Sequence, residues 1–183
     1  TMPPMGMHWL PSSGPLTADD VVLVTGATGM VGVHFVARLL ERCPAARVVC
    51  TVRGSSLDAA FASFGLPPPP CDTVKWTDLA AERWGVSAPD WEMLSTRVTR
   101  IVHCAATVNW LLPYAALRGP NVGGALTALA LAGAGRPKQL LHVSTISVAK
   151  NGVASIDATD RSVLARGYVH SKAMAEEHMR GAG

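Results

Sequence analysis

The chain carries little charge, few aromatics and no concentration of either. Charged residues make up 16% of its 183 positions, aromatics 5%, and the formal net charge is only +3. Its lysines and arginines form no run. The electrostatic footprint of a nucleic-acid binder or an anionic-membrane binder is therefore missing. The four cysteines, Cys43, Cys50, Cys71 and Cys104, include no C-x-x-C pair, and no histidine stands at zinc-finger spacing from them. That argues against a metal site of this kind. Reduced, mostly buried thiols fit them better than a disulfide framework, and point to a cytoplasmic protein. No apolar run approaches the roughly 18 residues that a membrane-spanning helix needs. Residues 1–19, rich in Pro, Gly and Ser, lack the basic-then-apolar order of a secretory signal and read as a linker or leader. What is present is a chain 49% apolar, long enough for one domain with a real core.

Along the chain, strand-like and helix-like patterns alternate. VVLVT (21–25) is a short β-branched run, MVGVHFVARLLERC (30–43) has helical apolar spacing and stops before Pro44, and RVVCTV (47–52) is a second strand. Together they form a βαβ unit. Residues 54–72, weakly helical and then four times proline, read as a surface connection. Further strands are expected at 73–79, 100–106 and 139–148. Helices are expected at 90–98, 121–135 and 168–180. This alternation predicts an α/β fold, a doubly wound parallel sheet of Rossmann type, over residues 20–183.

LVTGATGMVG (23–32) spaces Gly26, Gly29 and Gly32 three apart, directly after the first strand and into the first helix. Gly26 permits a tight turn, Gly29 lets backbone approach a pyrophosphate, and Gly32 lets the helix sit close to the strand. The helix N-terminus offers free N–H groups to phosphate. Thr28, Met30 and Val31 complete the candidate cofactor contacts in this stretch. A glycine turn with no ligand is the alternative, and the strand-loop-helix context favours the cofactor. Past the second strand the chain reads TVRG. Arg53 there is a cation suited to a 2′-phosphate, which favours NADPH over NAD; an ordinary surface arginine is the alternative. Asp78, with Leu79 beside it, follows the third strand, where a carboxylate accepts from an adenine amino group or simply forms a turn.

YVHSK puts Tyr168 and Lys172 four residues apart on one helix face. An ammonium near a phenol lowers its pKa and fits it for proton transfer to or from a carbonyl oxygen. Lys172 also suits the nicotinamide ribose. HVSTISV ends its strand in hydroxyls, and Thr145 is placed to hydrogen-bond a substrate oxygen at the carboxyl end of the sheet.

These segments resemble an extended short-chain dehydrogenase/reductase. More closely they resemble the thioester reductase domains that terminate nonribosomal peptide and polyketide synthases, with a related domain in carboxylic acid reductases. VLVTGATGMVGVHFVARLL, TVRG, DLAAERWGVSAPDWEML, IVHCAATVNWLLPYAALRGPNVGGALTALALA, HVSTISV and GYVHSKAMAEE appear in that family's order over about residues 20–180. The resemblance implies NADPH as cofactor and a catalytic set of Thr145, Tyr168 and Lys172. It also implies an acyl or peptidyl thioester on the phosphopantetheine arm of a carrier protein domain, released as an aldehyde or, after a second round, an alcohol. Ala105 and Ala106 would flank the cofactor, and Asn121 matches a helix asparagine that serves a proton relay; a helix N-cap is the other reading of Asn121. Three features depart from the pattern. Thr77 stands where the family often has glycine, His170 where it often has glutamine, and residues 20–183 are expected to be a truncated reductase core, since the family places its C-terminal substrate subdomain after the lysine helix. Two other functions remain open at this point: a nucleotide-sugar epimerase or dehydratase using NAD(P), against which Arg53 argues, and a non-catalytic nucleotide-binding pseudo-domain, which the retained Thr145, Tyr168 and Lys172 oppose.

Overall fold

Five short strands carry the sheet, all but the last containing β-branched residues: β1 (Val21–Thr25), β2 (Arg47–Val52), β3 (Asp72–Lys75), β4 (Arg100–His103) and β5 (Gln139–His142). All pair in parallel, in the order β3-β2-β1-β4-β5. The strand order reverses between β1 and β4, and in such sheets the crevice above that point takes the ligand. The structure, a computed structural model, describes residues 16–54, 56–149 and 166–182. The expected leader therefore lies almost entirely outside the described residues.

Alternation along the strands splits the core in two. Val22, Val24, Val48, Cys50 and Val52 face α1 (Met30–Arg42) and α2 (Leu57–Ser63), packing on Val33, Val36, Leu57 and Phe61. Leu23, Val49, Val74, Ile101 and Leu140 face the other way. There they meet Leu94 of α3 (Ala88–Arg97), Ala125, Ala128 and Leu131 of α5 (Gly124–Gly133), and Ala175 and Met179 of α6 (Gly167–Gly181). The small residues of α5 let it lie close to the sheet. The doubly wound parallel sheet expected from the sequence is thus present. Among the described residues no helix is long and apolar enough to cross a membrane, and the four cysteines are free thiols, with Cys50 buried and the others half-buried.

At the amino end of the sheet, away from the crevice, Asp20 ties β1 to β4. Its carboxylate accepts from Thr99 Oγ1 at 2.7 Å and pairs with Arg100 at 3.3 Å. Burial opposes the charge, but hydrogen bonds from Thr17 and Thr99 and the Arg100 guanidinium outweigh it and hold the carboxyl below its ordinary pKa.

Three strands end earlier than their sequence patterns suggest. Residues 76–79, 104–106 and 143–148 leave the ladder as strand tips. Thr77 and Asp78 turn back to bond Trp84 O, Ala105 N donates to Thr25 Oγ1, and residues 146–148 form a 3-10 turn. The helix expected at 121–135 begins earlier, with α4 (Tyr114–Leu117). It runs through a π-helical turn, Arg118–Gly123, directly into α5. Pro120 has no N–H for the helical ladder, and the wider π turn absorbs that loss without ending the helix.

Candidate active site

The glycine loop joins β1 to α1 at the reversal point. Gly26 takes φ +68°, and a Cβ there would lie 2.7 Å from Ala105 N, so glycine is required both for the turn and for its contact with the β4 tip. A Cβ on Gly32 would fall 2.2 Å from Gly26 O and 2.7 Å from Ala27 Cα. Gly32 thus lets the first turn of α1 close over the loop itself. At Gly29 the same test meets only Gly26 O at 3.4 Å. Gly29 is the N-cap of α1, which has no side-chain cap and no acidic residue in its first turn. Thr28 is half-buried beside it, and Met30 and Val31 stand exposed on the first turn, 65% and 49% accessible. Uncapped N–H groups above a backbone cradle fit a pyrophosphate.

The tips of β2 and β3 form the next part of the rim. Arg53 is exposed, its guanidinium 5.0 Å from the centroid of the Trp76 ring. That stacking holds the cation at the end of β2. Asp78 is exposed and accepts from Ala80 N at 3.0 Å, the turn-forming geometry, while Leu79 is buried beneath it. Arg83, Trp84 and Gly85 then run in left-handed backbone, at φ 49°, 56° and 65°. Two non-glycine residues in that region are strained. The compensation is Trp84, which is buried, donates from Nε1 to Gly124 O at 3.0 Å and stacks on His103 at 5.7 Å. Thr77 Oγ1 occupies the space a Cβ on Gly85 would need, 1.9 Å away, so this departure from the family pattern is accommodated by the glycine opposite.

Helix α6 carries Tyr168 and Lys172, the pair expected from the sequence to serve proton transfer. Tyr168 is buried, with Trp110 edge-on to its ring at 5.1 Å. Burial pushes its phenol above the ordinary value, opposite to the direction expected from a neighbouring ammonium. The ammonium is engaged on the sheet: Lys172 Nζ donates to Val143 O at 2.8 Å and lies 3.1 Å from His142 Nε2 at the tip of β5. Burial lowers its pKa to about 8, against the opposing pull of Glu176 and Cys104. Thr145, half-buried two residues past Val143, accepts from Ser147 N at 3.3 Å and caps the 3-10 turn.

Asn121 is buried in the π turn and is not a helix N-cap. Its Oδ1 accepts from Thr107 N at 2.7 Å, and its Nδ2 donates to Thr107 O at 3.0 Å and Ser171 Oγ at 2.9 Å. The side chain therefore ties the segment after β4 to α6. Two further contacts hold that segment: Tyr114 stacks on His170 at 3.9 Å, and Gly167 leaves room for Leu112 O, 2.3 Å from where its Cβ would be. Ala105 is buried against the loop and Ala106 half-buried beside it. The glycine loop thus touches the β4 tip, and the segment that follows is bound to the helix of Tyr168 and Lys172. Lys172 reaches the tip of β5 at Val143, two residues before Thr145.

Reading the residues singly missed Thr25, His103, His142, Trp110 and Ser171. Thr25 Oγ1 bridges His103 Nδ1 at 2.8 Å and Ala105 N at 3.3 Å. His103 pairs with His142 in the β4–β5 register, their rings stacked at 5.5 Å. The one sequence signal was a histidine at the end of each of two consecutive strands.

A family model described as Male sterility protein, an NAD-binding family, matches residues 24–66 and 72–183. The chain belongs to this family. Its relatives include L-2-aminoadipate reductase of Schizosaccharomyces pombe, 32% identical over 94% of this chain and 14% of the relative. Carboxylic acid reductase of Mycobacterium tuberculosis is 32% identical over 92% of this chain and 17% of the relative. Among solved structures, the terminal R domain from the myxalamid PKS-NRPS biosynthetic pathway superposes with a TM-score of 0.80 at 32% identity, over 94% of this chain and 47% of that one. The chain therefore spans about half of that R domain and a small part of the curated reductases it resembles.

Proposed function

We propose that residues 20–183 are the nucleotide-binding and catalytic core of an NADPH-dependent thioester reductase. Its substrate is an acyl or peptidyl thioester on the phosphopantetheine arm of a carrier protein domain, and its product is an aldehyde. Two contacts support this reading: Lys172, four residues after Tyr168 on α6, donates to Val143 O two residues before Thr145, and the glycine loop closes on Ala105 with an uncapped helix N-terminus above it. The reductase relatives and Arg53 at the β2 tip support it.

Gly26, Gly29 and Gly32 would hold the pyrophosphate on the N-terminus of α1, Arg53 the 2′-phosphate, Asp78 and Leu79 the adenine side, and Ala105 and Ala106 the face of the nicotinamide. The reduced nicotinamide supplies the hydride. Thr145 positions the thioester carbonyl oxygen, and the Tyr168 phenol, kept protonated by its burial, gives that oxygen its proton as negative charge develops. Lys172 stabilises the same charge as an ammonium and has a proton left for a ribose hydroxyl. Collapse of the hemithioacetal breaks the C–S bond, releasing the aldehyde and the carrier thiol.

The test is NADPH consumption with an acyl-loaded carrier domain as substrate. Tyr168→Phe should lower the rate by about 100-fold or more. An unchanged rate in that variant would remove the proposed proton donor.

A further inference from the structure

Beneath Lys172 lies a buried aromatic column that the proposed chemistry does not use. Trp84 stacks on His103, with the planes 7° apart, and His103 stacks on His142, with the planes 23° apart. His142 Nε2 then meets Lys172 Nζ at 3.1 Å. His103, His142 and Lys172 are each 2% exposed or less. The column is anchored from the side at His103, whose Nδ1 meets Thr25 Oγ1, the last hydroxyl before the glycine loop.

We propose that His142 is a positioning residue for Lys172: its neutral imidazole accepts an ammonium proton and keeps the lysine charged and aimed from the tip of β5. The inference rests on the reductase reading only in taking Lys172 to act on cofactor and substrate.

The chemistry follows from the donor count. An ammonium has three protons and no acceptor. Val143 O takes one and His142 Nε2 a second, and the third is left to face a ligand. For Nε2 to accept, the imidazole proton must sit on Nδ1. The groups facing Lys172 fix the sign of the effect. Glu176, one turn along α6, and Cys104, on the segment leaving β4, both favour the charged form. His103 on β4 is driven down to about 3 by burial, and next by Lys172 itself, so it is neutral at physiological pH. Tyr168, one turn back on α6, is held protonated by burial and adds no charge. Against the burial that disfavours the ammonium, His142 and Val143 O supply the direct acceptors. Removing His142 should therefore lower the lysine pKa.

The experiment compares His142→Phe with His142→Gln in the intact protein. Phe keeps the ring stacked on His103 and removes the acceptor, whereas Gln keeps an acceptor oxygen and loses the ring. Lys172 is titrated by NMR on isotope-labelled lysine ε-carbons without nucleotide, its signal assigned by loss in Lys172→Arg. In His142→Phe the midpoint should fall by about one to two pH units, and in His142→Gln it should stay within about half a unit of wild type. The alkaline fall of thioester reduction should move with it. An unchanged midpoint in His142→Phe, or an equal fall in both variants, overturns the inference. A midpoint that moves as expected in a protein that reduces no carrier-bound thioester upholds the role of His142 and overturns the reductase reading instead.

Discussion

Replacing Asn121 by alanine tests whether the π turn organises the site. The side chain makes three hydrogen bonds, two to the backbone of Thr107 and one to Ser171 Oγ. At about 1 kcal/mol each, their loss amounts to about 3 kcal/mol. Urea unfolding followed by circular dichroism reads this directly. With a slope of about 2 kcal/mol/M, the midpoint should drop by about 1.5 M with the slope unchanged. Ser171→Ala removes the shared bond and the donation from Ser171 Oγ to Tyr168 O at 2.7 Å, and should cost about 1 to 2 kcal/mol. The bond common to both variants makes the double mutant less destabilised than the sum, by about 1 kcal/mol. An Asn121→Ala protein within about 0.5 kcal/mol of wild type would show that the three bonds do not hold the segment after β4 to α6. Strict additivity would show that Asn121 and Ser171 do not act together.

Two glycine variants should part company. Gly29→Ala should melt like wild type yet bind NADPH at least about 10-fold more weakly in a fluorescence titration, because its Cβ meets only Gly26 O at 3.4 Å but would stand between backbone and phosphate. Gly32→Ala should lose both stability and binding, since its Cβ would press on backbone that cannot yield. Equal behaviour of the two would refute the division of roles. Asp20 sets an acid limit. Its folded pKa lies below the unfolded value, so its contribution is present above about pH 4 and is lost as pH falls through the folded value. Asp20→Asn should accordingly cost about 1 kcal/mol at pH 7, and the gap should narrow steadily as pH falls below the ordinary carboxylate range, as read by thermal melts; a gap that does not narrow with acid would contradict the assignment.

The first βαβ unit was legible in the sequence because its signals agree: a β-branched run, three glycines at fixed spacing and an amphipathic helix ending before Pro44. The parallel, doubly wound character of the sheet followed from the alternation of elements. The strand ends did not, because TVKWTDL, RIVHCAA and HVSTISV stay β-favouring beyond the point where the ladder stops. Contacts the patterns do not show take over at each strand end: Trp84 O for residues 77 and 78, Thr25 Oγ1 for Ala105, and the local Thr145 cap for residues 146–148. The early start of the α4–α5 helix was hidden by Gly119 and Pro120, which read as breakers and are absorbed in a π turn. Tyr168, Lys172 and Thr145 were found by type and spacing. The partners of Lys172 were not, since they depend on the β4–β5 register that sets His103 opposite His142. The left-handed run at Arg83 and Trp84 had no signal either, because neither residue favours that backbone.

The contact of Gly26 with Ala105 bears on attempts to change nucleotide preference by transplanting segments. With 2.7 Å between the site of a missing methyl and a peptide nitrogen in the segment leaving β4, the decapeptide around the glycines is not a portable cassette. A donor loop brought in from another enzyme would have to travel with its own β4 exit. Recipients that keep a residue larger than glycine at that turn would reject the graft before any cofactor was offered.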